Sequence, residues 1–149
     1  MRYIRHAASA GALTVLAVGA ATVFSPVASA APNVTPQSVC GSAYKTVNSA
    51  AVGSLGTIYL TYNSANGKNC VTTIRSNPGT AKDMSTYIYV ADTGEWADDY
   101  GRFTSYAGPS YVYAKNFCVS WGGHIDNISV SVDNTNCASL KEHRVTEIR

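Results

Sequence analysis

The sequence has few charged residues and almost no net charge. Only 13% of its 149 residues are Asp, Glu, Lys or Arg, and the formal net charge is +2 at pH 7. Arg2 and Arg5 account for that excess, so the rest of the chain is formally neutral. Nucleic-acid binding and attraction to anionic membranes both need a basic surface. We therefore expect no nucleic-acid partner and no electrostatic attachment to a membrane.

The sequence also lacks the groups of residues on which most enzymes depend. Beyond the N-terminal stretch its only histidines are His124 and His143, and no serine lies in a nucleophile-elbow motif. The acidic segment 92–99 does not match an EF-hand, and we interpret it as a solvated connection. The cysteines are too widely spaced for a zinc site, which needs close pairs. We expect no catalytic residue, no metal and no cofactor.

The longest apolar stretch lies at the N-terminus and has the layout of a secretory signal. Two arginines precede a run rich in Ala, Val, Leu and Gly, and the small-residue sequence Val-Ala-Ser-Ala follows it. We predict a signal peptide over residues 1–30, cleaved between Ala30 and Ala31. A membrane anchor is the alternative, but Ala and Gly dominate the run and no basic stop-transfer cluster follows. The mature protein is expected to be secreted, extracellular and free of the membrane.

Four cysteines follow the predicted cleavage site: Cys40, Cys70, Cys118 and Cys137. An even number of cysteines in a small exported domain indicates disulfide bonds, and four cysteines allow three pairings. We favour Cys40–Cys70 and Cys118–Cys137, because each bridge would join neighbouring segments of the chain.

The remainder of the chain is long enough for one domain with its own core. We divide it into a flexible lead-in over residues 31–38, a single all-β domain over 39–138 and a charged tail over 139–149. Short segments of alternating apolar and polar residues, with little helical periodicity, are typical of all-β proteins. They predict an antiparallel sandwich or small barrel of about seven to nine short strands, cross-linked by two disulfides.

Two β-hairpins are predicted from strand-forming residues that flank turn residues. The first pairs residues 111–114 with 117–121 across Lys115-Asn116, with an apolar face and an aromatic face. The second pairs residues 56–62 with 70–75, across a type I′ turn at Asn66-Gly67.

Outside these hairpins, residues 128–133 alternate most clearly between apolar and polar side chains, which predicts a half-buried strand. Residues 48–55 are interpreted as a loop, and residues 80–85 as a loop or at most one helical turn.

Tyrosine is the most frequent aromatic residue, with ten copies. Strand alternation sets several tyrosines against aliphatic or small neighbours, which gives faces with aromatic rings and hydroxyl tips. An exposed face of this kind suits stacking on sugar rings or self-association, whereas in a two-sheet sandwich some rings would lie in the core. The candidate binding face comprises Tyr59, Tyr87, Tyr89, Tyr111, Tyr113 and Trp121.

Four segments carry a resemblance to a known family: 40–45 CGSAYK, 56–63 GTIYLTYN, 104–109 TSYAGP and 118–123 CVSWGG. In order and spacing they resemble the spore-associated protein A family, which comprises small secreted proteins of spore-forming filamentous bacteria. The resemblance covers most of the chain after the signal, over about residues 40–126, and it does not include the tail beyond Cys137. It implies an extracellular, wall- or spore-associated role, and it transfers no catalytic residue.

These observations predict a secreted, non-enzymatic structural protein of the spore or cell surface. Its tyrosine-bearing faces would adhere to wall polymer or to a second copy of the chain. A dedicated carbohydrate-binding module is the first alternative. The second is a small secreted enzyme or an enzyme inhibitor. An enzyme would depend on His124 or on Asp98 and Asp99, and an inhibitor would bind its target through the loop 92–100.

Overall fold

Segments in which apolar and polar residues alternate form β-strands here, because a strand points successive side chains to opposite faces. The computed structural model, which describes residues 33–137, arranges eight strands in two four-stranded antiparallel sheets. The predicted all-β sandwich is confirmed, and the strands of the described part do not close into a barrel. In chain order the strands are β1 Lys45–Val52, β2 Gly56–Asn63, β3 Lys68–Arg75, β4 Lys82–Tyr89, β5 Trp96–Phe103, β6 Tyr106–Tyr113, β7 Val119–Ile125 and β8 Ile128–Thr135.

The core lies between the inner faces of the two sheets. The first sheet has the strand order β1-β2-β3-β6, and the second sheet has the order β5-β4-β7-β8. Apolar side chains at every second position of the central strands point inward, so each sheet keeps one outer face. The largest fully buried side chains are Trp121, Ile58, Leu60, Met84 and Ile88.

The predicted hairpin across Lys115-Asn116 is wrong. β6 pairs with β3 in the first sheet, whereas β7 pairs with β4 and β8 in the second, so the chain crosses between sheets after Tyr113. Val112 and Val119 are buried, as the alternation predicts. A hairpin and a crossing bury the same side chains, however, so alternation alone does not select the neighbouring strand.

The second predicted hairpin is confirmed, but its turn is different. β2 and β3 pair in register from Gly56 opposite Arg75 to Asn63 opposite Lys68. Residues 64–67 form a four-residue loop, and of the pair Asn66-Gly67 only Gly67 has a positive φ, of 71°. A type I′ turn needs positive φ at both central residues.

Three segments interpreted as loops or connections contribute to strands. β1 covers most of residues 48–55, β4 begins within residues 80–85, and β5 takes in the second half of the acidic segment 92–99. β1 and β5 are edge strands, which face water along one side and tolerate small and charged residues. The first residues of β4 pair with β5 and share its polar character. The apolar alternation is therefore weak in all three segments.

A short helix, α1, Pro36–Cys40, precedes the strands. The Oγ1 atom of Thr35 accepts a hydrogen bond from the main-chain N–H of Ser38 at 3.1 Å, and proline fits the first turn of a helix. The last residues of the predicted lead-in 31–38 are therefore helical. The predicted signal peptide and the tail 139–149 lie outside the described residues.

The two favoured disulfides are present. The Cys40–Cys70 bridge joins the end of α1 to the outer face of the first sheet. The Cys118–Cys137 bridge joins the residue before β7 to the second residue after β8. Each cross-link therefore fixes a terminal segment of the described chain to a strand.

Candidate functional site

The six residues of the predicted binding face lie in three different parts of the structure. Tyr87 and Tyr89 lie on the outer face of the second sheet, because their neighbours Thr86 and Ile88 are buried in the core. The outer face of the first sheet carries Tyr59, Tyr111 and Tyr113. The sixth residue, Trp121, lies between the sheets. The six residues do not form one surface.

Placing Trp121 on a binding face is wrong. Its side chain is fully buried, and its ring Nε1–H donates a hydrogen bond to Thr135 Oγ1 at 2.9 Å. It lies opposite Ile88 on one neighbouring strand and Val132 on the other. Trp121 shares the inward face of β7 with the buried residues two positions away along that strand, and a ring of this size fills the centre of the core.

The outer face of the first sheet is partly covered by α1. The Tyr111 hydroxyl donates a hydrogen bond to the main-chain carbonyl of Cys40 at 2.9 Å, and its ring lies 5.5 Å from that of Tyr44. Burial, and then the neighbouring Tyr44, raise the pKa of Tyr111 above its ordinary value. Tyr111 therefore holds the helix in place. Of its neighbours, Tyr113 is 44% exposed and Tyr59 is half-buried.

The outer face of the second sheet carries the two most exposed large apolar side chains of the described part. Trp96 is 61% and Tyr100 is 65% exposed, and Tyr89 beside them is 41% exposed. Trp96 lies directly opposite Tyr89, and Tyr100 lies opposite Ser85. Neighbouring strands are about 4.8 Å apart, so these rings occupy one surface. We call this surface the aromatic face and define it as Tyr87, Tyr89, Trp96, Tyr100 and His124.

A glycine gives Tyr87 its place on the aromatic face. Tyr87 lies opposite Gly122, and a Cβ atom at Gly122 would come within 2.7 Å of the Tyr87 hydroxyl and 2.8 Å of its ring. Real side chains do not approach so closely, so the ring position depends on the missing Cβ. The Tyr87 hydroxyl donates a hydrogen bond to Ser131 Oγ at 2.9 Å. The ring thus lies along the sheet, with its hydroxyl fixed.

Polar groups position the other end of the aromatic face. The ring of His124 lies 5.7 Å from that of Tyr100, and its Nδ1 atom shares a hydrogen bond with Ser85 Oγ at 2.7 Å. The Tyr100 hydroxyl donates a hydrogen bond to Asp83 Oδ2 at 3.3 Å. This hydrogen bond, and then the negative charge of Asp83, raise the pKa of Tyr100 above its ordinary value. Tyr100 therefore stays a neutral donor at physiological pH.

One side-chain pair at the aromatic face, Ser85 and His124, has the residue types of a catalytic pair. Ser85 and His124 share a hydrogen bond, but within residues 33–137 no carboxylate is hydrogen-bonded to His124 to orient it as a base. The same residues contain no group of three or more His, Cys, Asp or Glu side chains arranged to hold a metal ion. The expectation that the protein is not an enzyme stays a prediction.

Sequence reasoning missed Trp96, Tyr100 and His124 as members of this face. The signal was present, since Trp96, Asp98 and Tyr100 alternate with period two along β5. It was hidden because the acidic residues among them suggested a loop. Two of the residues predicted for a catalytic alternative reach the face: His124 and Asp98, which lies opposite Tyr87. Asp99 points away from it and accepts a hydrogen bond from the main chain of Gly108.

One cleft lies elsewhere, at an end of the sandwich. Its volume is about 190 Å³, and its polar lining includes the amides of Asn69, Asn116 and Asn136. Ligand pockets usually measure about 300–1,000 Å³, so this cleft is small for an organic ligand. Compared with this cleft, the aromatic face is the stronger candidate site.

Within the described part, no helix has the length and apolar character needed to cross a membrane.

Comparison with known proteins identifies a relative. No family model matches the chain, and no solved structure matches it. The chain is 46% identical over 128 residues to spore-associated protein A of Streptomyces coelicolor, and the match covers 86% of this chain and 79% of that protein. Identity at this level over most of both chains confirms the resemblance predicted from the sequence. The chain therefore belongs to the spore-associated protein A family.

Proposed function

We propose that the protein is a secreted, non-enzymatic component of the spore or cell surface that adheres to wall polysaccharide through the aromatic face. The observation that carries this proposal is the exposure of Trp96, Tyr100 and Tyr89 together on one sheet. A monomeric protein rarely leaves large apolar side chains side by side in water unless something binds them. The relative's name and the two disulfides are consistent with an extracellular location.

The chemistry of the aromatic face matches that of a sugar polymer. Aromatic rings offer flat apolar surfaces to the C–H faces of sugar rings, and hydroxyl and carboxylate groups between them accept or donate hydrogen bonds to sugar hydroxyls. Asp98 lies between Trp96 and Tyr100 along β5, and Ser85 and Ser131 supply hydroxyls. These groups suit a polyhydroxylated ligand rather than an apolar one.

The shape of the face favours a polymer surface over a small soluble ligand. Small molecules bind in concave sites that enclose most of their surface. The aromatic face is the outer side of a β-sheet, where Tyr100 follows Trp96 by four positions, or about 13 Å along the strand. A flat arrangement of that length suits insoluble wall polymer with several sugar rings in a row.

The test is retention of the purified protein on insoluble chitin, cellulose and isolated cell wall. We expect retention on at least one polymer, and we expect Trp96→Ala to weaken it roughly tenfold, which corresponds to about 1.4 kcal/mol for the loss of one stacked ring. The matched control is Tyr113→Ala, which removes an exposed ring from the other sheet and should leave retention unchanged.

Two results of this experiment would contradict the proposal. One is the absence of retention on all three polymers, and the other is equal weakening of retention by Trp96→Ala and Tyr113→Ala.

The number of polymers that retain the protein separates the leading function from the carbohydrate-binding alternative. If the protein is a dedicated carbohydrate-binding module, it should bind one glycan only, and the binding should saturate. If it is a general surface adhesin, it should be retained on whole cell wall and on several of its polymers.

A further inference from the structure

The four edges of the two sheets are not equally protected. On one side of the sandwich, carboxylates from β5 and from the residue before it bind main-chain groups of β6. Glu95 Oε2 accepts a hydrogen bond from the Tyr113 N–H at 3.0 Å, and Asp99 Oδ2 accepts one from the Gly108 N–H at 2.7 Å. The edge of β6 also contains Pro109, which has no N–H to donate. Another strand could not pair along this edge without displacing these groups.

Within residues 33–137, no carboxylate from the other sheet caps the two edges on the opposite side. β1 begins with Lys45 and has a bulge between Thr46 and Asn48, and both features discourage pairing with another strand. β8 differs, because its first five residues, 128–132, carry no charge. Their pairing with β7 is regular from Ile128 to Val132, and the irregularity in β8 comes only after Val132.

Residues 128–132 therefore form a strand edge that no other described residue protects. Among the described residues, no main-chain hydrogen bond outside the pairing with β7 involves them. Ile128 is 37% exposed, although it is a large apolar side chain, and Val130 is only partly buried. A regular, uncharged edge with an exposed isoleucine is the type that pairs with another strand.

We propose that this edge pairs antiparallel with the same edge of a second copy of the chain. The sequence of residues 128–132, Ile-Ser-Val-Ser-Val, is nearly symmetric about Val130. Pairing centred on Val130 sets Ile128 opposite Val132 of the second copy and Ser129 opposite Ser131 of the second copy. Apolar residues thus meet apolar residues, serine meets serine, and no like charges are opposed. Such a self-complementary contact closes with twofold symmetry.

The pairing has a consequence for the aromatic face. Directly opposed residues in an antiparallel pair point to the same side, so the two copies present the same face of one continuous eight-stranded sheet. Two aromatic faces then act on one polymer surface, and binding of the first raises the effective concentration of the second. The pairing itself does not depend on what the aromatic face binds.

The test is the molar mass of the purified protein, measured by light scattering or sedimentation over a range of concentrations. We expect the mass to rise to twice that of the monomer. Ser129→Lys with Ser131→Lys sets lysine opposite lysine and should abolish the dimer. The matched control, Ser49→Lys with Ala51→Lys, puts two lysines on the exposed residues of the other uncapped edge and should leave the dimer intact.

A charge-reversed variant distinguishes a lost contact from a damaged fold. Ser129→Glu with Ser131→Glu should also be monomeric, and mixing it with the lysine variant should restore a dimer of one copy of each. The proposal is overturned if the wild type stays monomeric up to its solubility limit. It is equally overturned if the lysine variant still dimerises, if the β1 control loses the dimer instead, or if mixing restores nothing.

Discussion

Trp121→Ala should lower the free energy of unfolding by about 3–5 kcal/mol, the usual cost of truncating a large aromatic side chain in a core. Trp121 is the largest fully buried side chain of the described part, and its indole N–H is bonded to Thr135. The truncation removes apolar contacts with Ile88 and Val132 and leaves a cavity between the sheets. Chemical denaturation, followed by circular dichroism, measures the loss.

The only other tryptophan provides the matched control. Trp96 is 61% exposed, so Trp96→Ala should change the free energy of unfolding by no more than about 0.5 kcal/mol, as surface substitutions usually do. The two substitutions should therefore affect different properties. Trp121→Ala should lower the stability of the fold, and Trp96→Ala should weaken adhesion. A loss below about 1 kcal/mol for Trp121→Ala would contradict its place in the core.

The second large effect is expected from the bridge between α1 and the first sheet. Replacing Cys40 and Cys70 together with serine should lower the free energy of unfolding by about 3–4 kcal/mol, because the bridge closes a segment with a sequence separation of 30. The substitution also weakens the attachment of α1, which then depends on Tyr44 and Tyr111. Denaturation of the variant and the wild type under non-reducing conditions gives the difference.

The same double variant separates stability from adhesion. The Cys40–Cys70 bridge lies on the outer side of the first sheet, away from the aromatic face. At temperatures where the variant remains folded, retention on wall polymer should therefore equal that of the wild type. Loss of retention by a folded variant would show that the first sheet takes part in adhesion, contrary to our assignment.

Much of the fold could be predicted from the sequence, because it follows from local patterns. Alternation along β2 and β8 identified strands, and the disulfide pairs followed from the proximity of segments. Alternation also predicted that Val112 and Val119 are buried. It did not predict which strand pairs with which, since β6 and β7 bury the same side chains in a hairpin or in different sheets. Which strands pair depends on residues that are far apart in the sequence, so the pattern within one strand does not determine its partner.

The candidate site was only partly predictable for a related reason. Tyrosines on alternating positions indicated aromatic faces, but the position of a ring inside or outside a sandwich depends on the partner sheet. The alternation groups Tyr87 with Tyr89, and both lie on the outer face of the second sheet. Trp121 is buried in the core instead, and Tyr111 binds the main chain of α1. Trp96 was missed because β5 is an edge strand with acidic residues.

The most direct test of the adhesion proposal compares the outer faces of the two sheets on equal terms. We would measure depletion isotherms on the polymer that retains the wild type, for Tyr89→Ala with Trp96→Ala and for Tyr59→Ala with Tyr113→Ala, after denaturation shows that both variants are folded. Our account predicts that the first variant loses most of its binding and that the second keeps wild-type affinity. Wild-type binding by the first variant, or loss of binding by the second alone, would contradict it.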